Sequence, residues 1–361
     1  MRQPSLFDEP PPATSFPSQP ATAPAEWVPL SALAPAAEGG PQRTGIARLA
    51  AEAPEIDFRN EVEYRDLPCR TLLSLCQSTR VPLDYNLNPY RGCEFACTYC
   101  YARYTHEFMD MENWLDFERK IFVKQGAREA LVRDLRRLDL RGKLIAIGTA
   151  TDPYQPAERR YGLTRSLLEV FAGRRGLDLS ITTKSDLVLR DLDLLQQIAA
   201  HNDLQVNVTI TTPHHELSRR TEPRAPRPDK RLAAVRGLRR GGIHAGVFAM
   251  PILPRITDSH EDLELLVRLA KEADAQFLSS QVLFLRNCSR KRYFPFIEER
   301  FPELLPFYKR MYGGRDSEAL GTYTRQKMEE IQQLKRQYGL PGYGRKSDHS
   351  GPEGEQLGLF G

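Results

Sequence analysis

The chain has 361 residues, 40% of them hydrophobic, which is enough to bury one large α/β domain with appendages. Its net charge of +4 is too small to identify a polyanionic partner, and no apolar stretch reads as a membrane span or a signal segment. Six cysteines in a chain of this length do not make a disulfide framework, so the thiols are expected to stay reduced, in the cytoplasm.

Ten of the 27 prolines fall within the first 41 residues, mixed with Ala, Ser and Gly and without an apolar period, which predicts a disordered arm over 1–55. Over 56–315, strand-like apolar runs alternate with helix-length amphipathic segments, the pattern of repeated βα units and a parallel sheet. Six strands are predicted, at 83–87, 143–150, 179–183, 205–211, 244–251 and 276–285. An extra extended run at 120–124 and a helix over 127–138 are assigned to the first unit. Leu163, Leu167, Val170 and Phe171 recur at helical spacing, and Asp258 with Glu261 reads as a capping box ahead of Leu263, Leu265, Leu266 and Leu269. Right-handed crossovers curl such units into a partial (βα)6 barrel of parallel strands. A C-terminal helix is predicted within 316–340, and turn and linker chemistry makes 341–361 a flexible tail.

Directly after the first predicted strand runs Asn88-Pro-Tyr-Arg-Gly-Cys-Glu-Phe-Ala-Cys-Thr-Tyr-Cys-Tyr-Ala-Arg103. Iron–sulfur cubanes normally take four thiolates, so Cys93, Cys97 and Cys100 would leave one iron open. A structural zinc site would have to borrow Cys69, Cys76 or His106, and the second paired arm that zinc favours is missing. Free structural cysteines are the other simple reading. The C-x-x-x-C-x-x-C run with Tyr99 before its last cysteine is the signature of the radical S-adenosylmethionine (SAM) superfamily. Its flanks, N-P-Y-R-G-C and C-Y-A-R, resemble the branch that contains spore photoproduct lyase and similar DNA-repair proteins. The resemblance spans about residues 60–315 and implies the same partial barrel. It also implies a 4Fe-4S cluster on the three cysteines, with the amino and carboxylate groups of SAM on the open iron. An electron from a low-potential donor such as flavodoxin or ferredoxin then enters the sulfonium, and the bond from C5′ to sulfur breaks homolytically.

Reactive groups in barrels of parallel strands gather where strands end. The second predicted strand ends in Thr151 and Asp152, where radical SAM proteins carry a Gly-Gly-Glu type segment for the methionyl amino group; by resemblance these two replace it, and an Asp-Pro turn is the plain alternative. Lys184, ending the third strand, is assigned by resemblance to the SAM carboxylate, with snorkelling to solvent as the alternative. Thr209, ending the fourth, is assigned by resemblance to the ribose or sulfonium region, with β-branched filler as the alternative. Tyr99 either approaches the adenine or radical path or packs on the cluster. Spore photoproduct lyase returns hydrogen to its product from a cysteine shortly after the motif. Here none occurs between Tyr101 and Asn287, and Cys288, just past the sixth predicted strand, is the candidate replacement donor.

Nine Arg or Lys against two acids, Glu222 and Asp229, occupy 219–240, and Arg286, Arg290, Lys291 and Arg292 form a second knot; either a solvated helix face or a nucleic acid would suit them. The terminal Gln356, Leu357, Gly358, Leu359 and Phe360 resemble the peptide that docks into the bacterial sliding clamp, and Gln3-Pro-Ser-Leu6-Phe7 is a shorter echo; a tail folded back on the barrel is the alternative. The expected function is a radical SAM enzyme acting on nucleic acid, DNA first, in a lyase-like repair reaction. Radical modification of RNA, a peptide or a small metabolite is an alternative, as is a non-catalytic iron–sulfur adaptor that binds DNA or the clamp.

Overall fold

A computed structural model describes residues 43–77, 81–314 and 321–342. In chain order its strands are β1 (Glu55–Arg59), β2 (Val62–Pro68), β3 (Leu73–Leu75), β4 (Tyr85–Leu87), β5 (Tyr90–Arg91), β6 (Lys120–Gln125), β7 (Leu144–Ile147), β8 (Asp178–Thr183), β9 (Asp203–Thr209), β10 (His244–Ile252) and β11 (Leu278–Val282). Six of them, β4, β7, β8, β9, β10 and β11, lie side by side in parallel, with β3 antiparallel on the free flank of β4. These are the six strands that the apolar runs predict, and they make the open parallel array of a partial barrel.

The side-chain pattern explains why the array holds. β7 reads Leu-Ile-Ala-Ile and is buried throughout, as a strand covered on both faces must be. β9 alternates: Leu204, Val206 and Val208 join the apolar core beneath the helices, and Gln205, Asn207 and Thr209 take the other, concave face. There Asn207 Nδ2 donates to Ser180 Oγ at 2.8 Å and Thr182 Oγ1 at 3.1 Å, while Gln205 Nε2 donates to Asn207 Oδ1 at 2.6 Å. The concave face is therefore polar and internally satisfied, as buried polar groups need to be.

Helices Ala127–Arg137, Leu163–Ala172, Leu192–Ala199, Pro228–Arg240 and His260–Glu272 cover the outer face, and Gly321–Gln337 packs on β11 and on His260–Glu272. The capping box stands one residue later than its sequence reading: Ser259 Oγ accepts from Asp262 N at 3.1 Å. Asp258 is engaged elsewhere, accepting from Arg255 N at 2.6 Å and from the Tyr323 hydroxyl.

Two further expectations are corrected. The run at 120–124 does not belong to the first barrel unit; as β6 it pairs with β2 and β5 in a separate four-stranded sheet of order β1, β2, β6, β5. Both flanks of β4 are already taken, by β3 and β7. The disorder expected over 1–55 does not hold at 45–52, because Gly45–Glu52 is a helix whose Ala47 and Ala50 are buried, Ala50 together with Leu67 and Phe122. Proline composition signals the arm only as far as Pro41. Residues 1–42, and the terminal Gln356, Leu357, Leu359 and Phe360, lie outside the described residues.

Candidate active site

The cysteine loop leaves β4 and is gripped from several strand ends at once. Its entry needs glycine: Gly92 has φ of +82°, and a Cβ there would stand 2.8 Å from the Lys120 carbonyl oxygen. From the end of β7, Thr151 Oγ1 donates to Gly92 O at 2.6 Å. The buried Gln155 side chain donates to the same carbonyl at 3.2 Å and accepts from Glu94 N at 3.0 Å. Beyond β9, Thr98 N donates to Thr221 O at 2.9 Å and Arg224 N to Phe95 O at 3.3 Å. Beyond β11, Ser289 Oγ donates to Cys100 O at 2.9 Å. Inside the loop, buried Arg103 donates to Cys97 O and Trp114 O, both at 2.8 Å, and pairs with Glu118. Ala96, between the first two cysteines, adopts a left-handed φ of +57°, unusual for a residue with a Cβ.

Three thiols are thereby held in one short loop against a second apolar core of Phe95, Leu253, Val282, Leu285, Tyr293, Tyr308 and Tyr312. Burial pushes all three upward, Cys97 to about 12 and Cys93 well above the ordinary thiol value. They would become ligands only where a cation's charge draws off their protons. Among the described residues no three Cys, His, Asp or Glu side chains converge on a single metal ion. A cubane makes a different demand, since each thiolate takes a different iron. Three unpaired cysteines strung along one loop, Cys93 and Cys97 buried and Cys100 partly so, fit that group.

Beside the loop lies a knot of buried charge. Glu222 is 1% exposed, and its Oε1 accepts from the Tyr99 hydroxyl and from Thr211 Oγ1 at 2.8 Å. Its Oε2 pairs with Arg231 Nη2 at 2.5 Å. Burial alone would raise this carboxyl, but Arg231 and Lys184 prevail and hold it at about 2. Arg231 is wholly buried on the helix Pro228–Arg240, and it also donates to Pro226 O at 2.7 Å and Thr209 O at 3.1 Å. Burial and the neighbouring Glu222 carry the Tyr99 phenol well above its ordinary value, so it stays protonated. Lys184 Nζ is 3.8 Å from Glu222 Oε1, beyond hydrogen-bond reach, and 5.9 Å from the centre of the Tyr99 ring. Burial works to lower its pKa, but Cys97 and Glu222 outweigh that and raise it, so the ammonium is charged.

The residues singled out from the sequence divide into groups. Tyr99 and Lys184 come together with Cys97. Asp152 accepts three bonds from the same strand ends, from Tyr154 N at 2.9 Å, Thr183 Oγ1 at 2.7 Å and Lys184 N at 2.7 Å, and thus fixes where the lysine starts. Thr151 commits its hydroxyl to the cysteine loop. Thr209 is buried at the end of β9, with its carbonyl on Arg231. Cys288 is buried on the other side of the loop, its sulfur 3.9 Å from Tyr101 O and 3.7 Å from Ser289 Oγ, beside a small cavity lined by Arg103, His106, Trp114 and Lys291. Glu222, Arg231 and Gln155 escaped the sequence reading as site residues. Glu222 and Arg231 sit within the basic run, whose charges are therefore not all surface charges. A signal existed for the arginine, which falls on the stripe of Ala234, Val235 and Leu238 at i+3, i+4 and i+7.

The sequence matches the family model of the Radical SAM superfamily over residues 87–269, and the chain belongs to that superfamily. It is a radical SAM enzyme, and membership implies a 4Fe-4S cluster and SAM. An uncharacterized protein of Mycobacterium tuberculosis is 35% identical over 274 residues, 76% of this chain and 79% of the relative. An uncharacterized protein of Methanocaldococcus jannaschii is 31% identical over 227 residues, 62% of this chain and 80% of that protein. Among solved structures, spore photoproduct lyase complexed with dinucleoside spore photoproduct shares the fold, with a TM-score of 0.55 and 18% identity over 83% of this chain and 84% of that one. A variant of that lyase with bound AdoMet and dinucleoside spore photoproduct gives a TM-score of 0.55 at 17% identity, covering 82% and 84%. Among the described residues no helix is long and apolar enough to cross a membrane.

Proposed function

We propose that the enzyme acts on DNA in a lyase-like repair reaction, with the cluster on Cys93, Cys97 and Cys100. The observation that carries this reading is where the exposed cations stand. Arg219, Arg220, Arg224 and Arg227 are exposed on the segment just past the end of β9, and Arg224 is bonded through its backbone to Phe95 in the cysteine loop. A phosphate backbone drawn to these arginines would lie against the radical site. The likeness to spore photoproduct lyase across most of both chains supports the same reading.

When bound, the cluster and SAM supply reductive homolysis of the sulfonium, with the electron coming from a low-potential donor of the flavodoxin or ferredoxin class. The protein's own groups bind, orient and keep dry. Lys184, without a direct acceptor among the described residues, offers a charged ammonium to the SAM carboxylate, while Asp152 anchors the backbone from which it extends. Glu222, locked by Arg231, keeps that lysine charged and holds the Tyr99 proton in place. Thr151 and Gln155 fix the cysteine loop, and Thr209, on the concave face, would be offered to the ribose or sulfonium region. The apolar core around Phe95, Leu285 and Tyr312 excludes the water that would quench a radical.

The test is anaerobic reconstitution, reduction in the presence of SAM, and measurement of 5′-deoxyadenosine with and without ultraviolet-irradiated DNA. DNA-dependent stimulation is expected. Yields indifferent to any DNA but raised by RNA or by a peptide would overturn the substrate assignment.

A further inference from the structure

Just past the last cluster cysteine, Tyr101 is 39% exposed and Phe108 is 62% exposed. They form a row with Tyr104. The rings of Tyr101 and Tyr104 lie 6.5 Å apart and nearly parallel, and those of Tyr104 and Phe108 meet edge to face at 5.5 Å. The Tyr101 hydroxyl donates to Thr149 O, just beyond the end of β7, so the row begins at the mouth of the barrel. Exposed Arg286, at the start of the helix Asn287–Arg300, holds its guanidinium 4.3 Å from the centre of the Tyr104 ring. Arg290 follows one turn later, its N–H on Arg286 O at 3.1 Å, and its Nε and Nη2 are buried and have no hydrogen-bond partner among the described residues. Acidic side chains stand on the ring-bearing segment itself, exposed Glu107 and Asp110, the latter 3.6 Å from Arg43. Attraction for phosphate therefore comes from exposed Arg286 at the start of the helix, and the rings add flat apolar faces. The neighbouring core takes in Tyr293, Tyr308 and Tyr312 yet leaves this row in water, which marks it as a surface to be covered.

We infer that Tyr101, Tyr104 and Phe108, with Arg286, form a stacking platform for the unpaired nucleobases of a DNA strand entering the mouth of the barrel. Every base has a π-face, so such a row binds strands without reading sequence, and a guanidinium laid on an aromatic ring adds a cation for the backbone. Bases within a duplex already cover one another and would not use it. The inference rests on the reading of DNA as substrate and names the form in which the DNA arrives.

The experiment is fluorescence anisotropy of the full-length reconstituted enzyme with labelled oligothymidylate, across a salt series. Phe108→Ala should weaken binding about tenfold with its salt dependence unchanged, because stacking releases no counterions. Phe108→Trp should bind at least as well as the native chain. Arg286→Ala should weaken binding and lower the slope of log K on log salt by about 0.7, the share of one phosphate on a single strand. Circular dichroism melting of each variant separates loss of binding from loss of fold. If the native enzyme binds the strand and both alanine variants bind it within about twofold, the platform is wrong while the DNA reading stands. Better competition by duplex than by the strand has the same meaning. No binding of DNA in any form sinks both.

Discussion

Glu158 and Glu222 are both buried carboxylates, 0% and 1% exposed, each paired with arginine, and they serve opposite ends. Glu158 is closed. Its Oε2 accepts from the Tyr90 hydroxyl at 2.6 Å and Thr164 N at 2.7 Å, and its Oε1 from Arg190 Nη2 at 2.7 Å and Arg165 N at 3.1 Å. Asp191 accepts from Arg190 twice and from Arg165, all at 2.8 Å, and the rest of Arg165 is taken by Asp193 and of Arg190 by Glu158 O. Nothing in that cluster is left to bind a ligand, and its effect is to fasten the loop after β7 to the segment after β8. The Glu222 knot contains the same residue types but ends in Lys184, whose ammonium has no direct acceptor among the described residues and stands beside the cysteine loop. In a low-dielectric interior a satisfied polar cluster rigidifies, whereas a charged group held short of a bond is poised for a ligand.

Substitutions can break or sharpen that contrast. Cys97→Ala should abolish the cluster's visible absorption and all SAM cleavage after anaerobic reconstitution, and a variant that kept both would remove the site altogether. Glu222→Gln strands Arg231 without its counter-charge and should cost about 3–5 kcal/mol in urea unfolding. The pH dependence has a definite sign. The ordinary glutamate value is about 4.3, whereas Arg231 and Lys184, against burial, hold Glu222 at about 2. Its contribution is complete above the ordinary value and is lost as pH falls through the folded one. Native stability should thus drop between about pH 4 and pH 2, and the glutamine variant should lack that part of the drop.

Glu158→Gln should destabilise by a similar amount, about 3–5 kcal/mol, and leave SAM affinity untouched, since its cluster reaches no ligand. Lys184→Met should do the reverse, weakening SAM binding by about 1.5–3 kcal/mol, the worth of a hydrogen bond to a charged group, with stability nearly unchanged. Equal effects of these two variants on SAM titration would erase the distinction drawn here. The smallest effect is expected at Cys288, whose sulfur faces Tyr101 O and the outer cavity. Cys288→Ala should shift the distribution of reaction products while leaving SAM cleavage intact, and an unaltered distribution would remove that thiol as the candidate hydrogen donor.

Much of this was legible in advance because it is local. Six apolar runs at βα spacing mark six strands, since a strand covered on both faces must be apolar almost throughout. The cysteine motif is legible because its three cysteines fit within eight residues. The second sheet was not, because pairing β6 with β2 requires knowing that β4 has no free flank, and the N-terminal helix was obscured by the proline-rich residues ahead of it. Asp152 and Thr151 stood out as polar residues at a strand end, but whether such a group holds a ligand or the backbone depends on what the next strand offers.

The sequence by itself determined the chemistry, by placing Cys93, Cys97 and Cys100 in one loop after the first barrel strand, and the fold class, by the period of its apolar runs. Only the tertiary structure decided which charges serve the site. Glu222 and Arg231 read as members of a basic surface run until the helix Pro228–Arg240 turns the arginine inward, beneath the end of β9 and onto the glutamate beside Tyr99. A side chain's type is written in the chain, but its burial and its partners are set by elements that meet from distant positions.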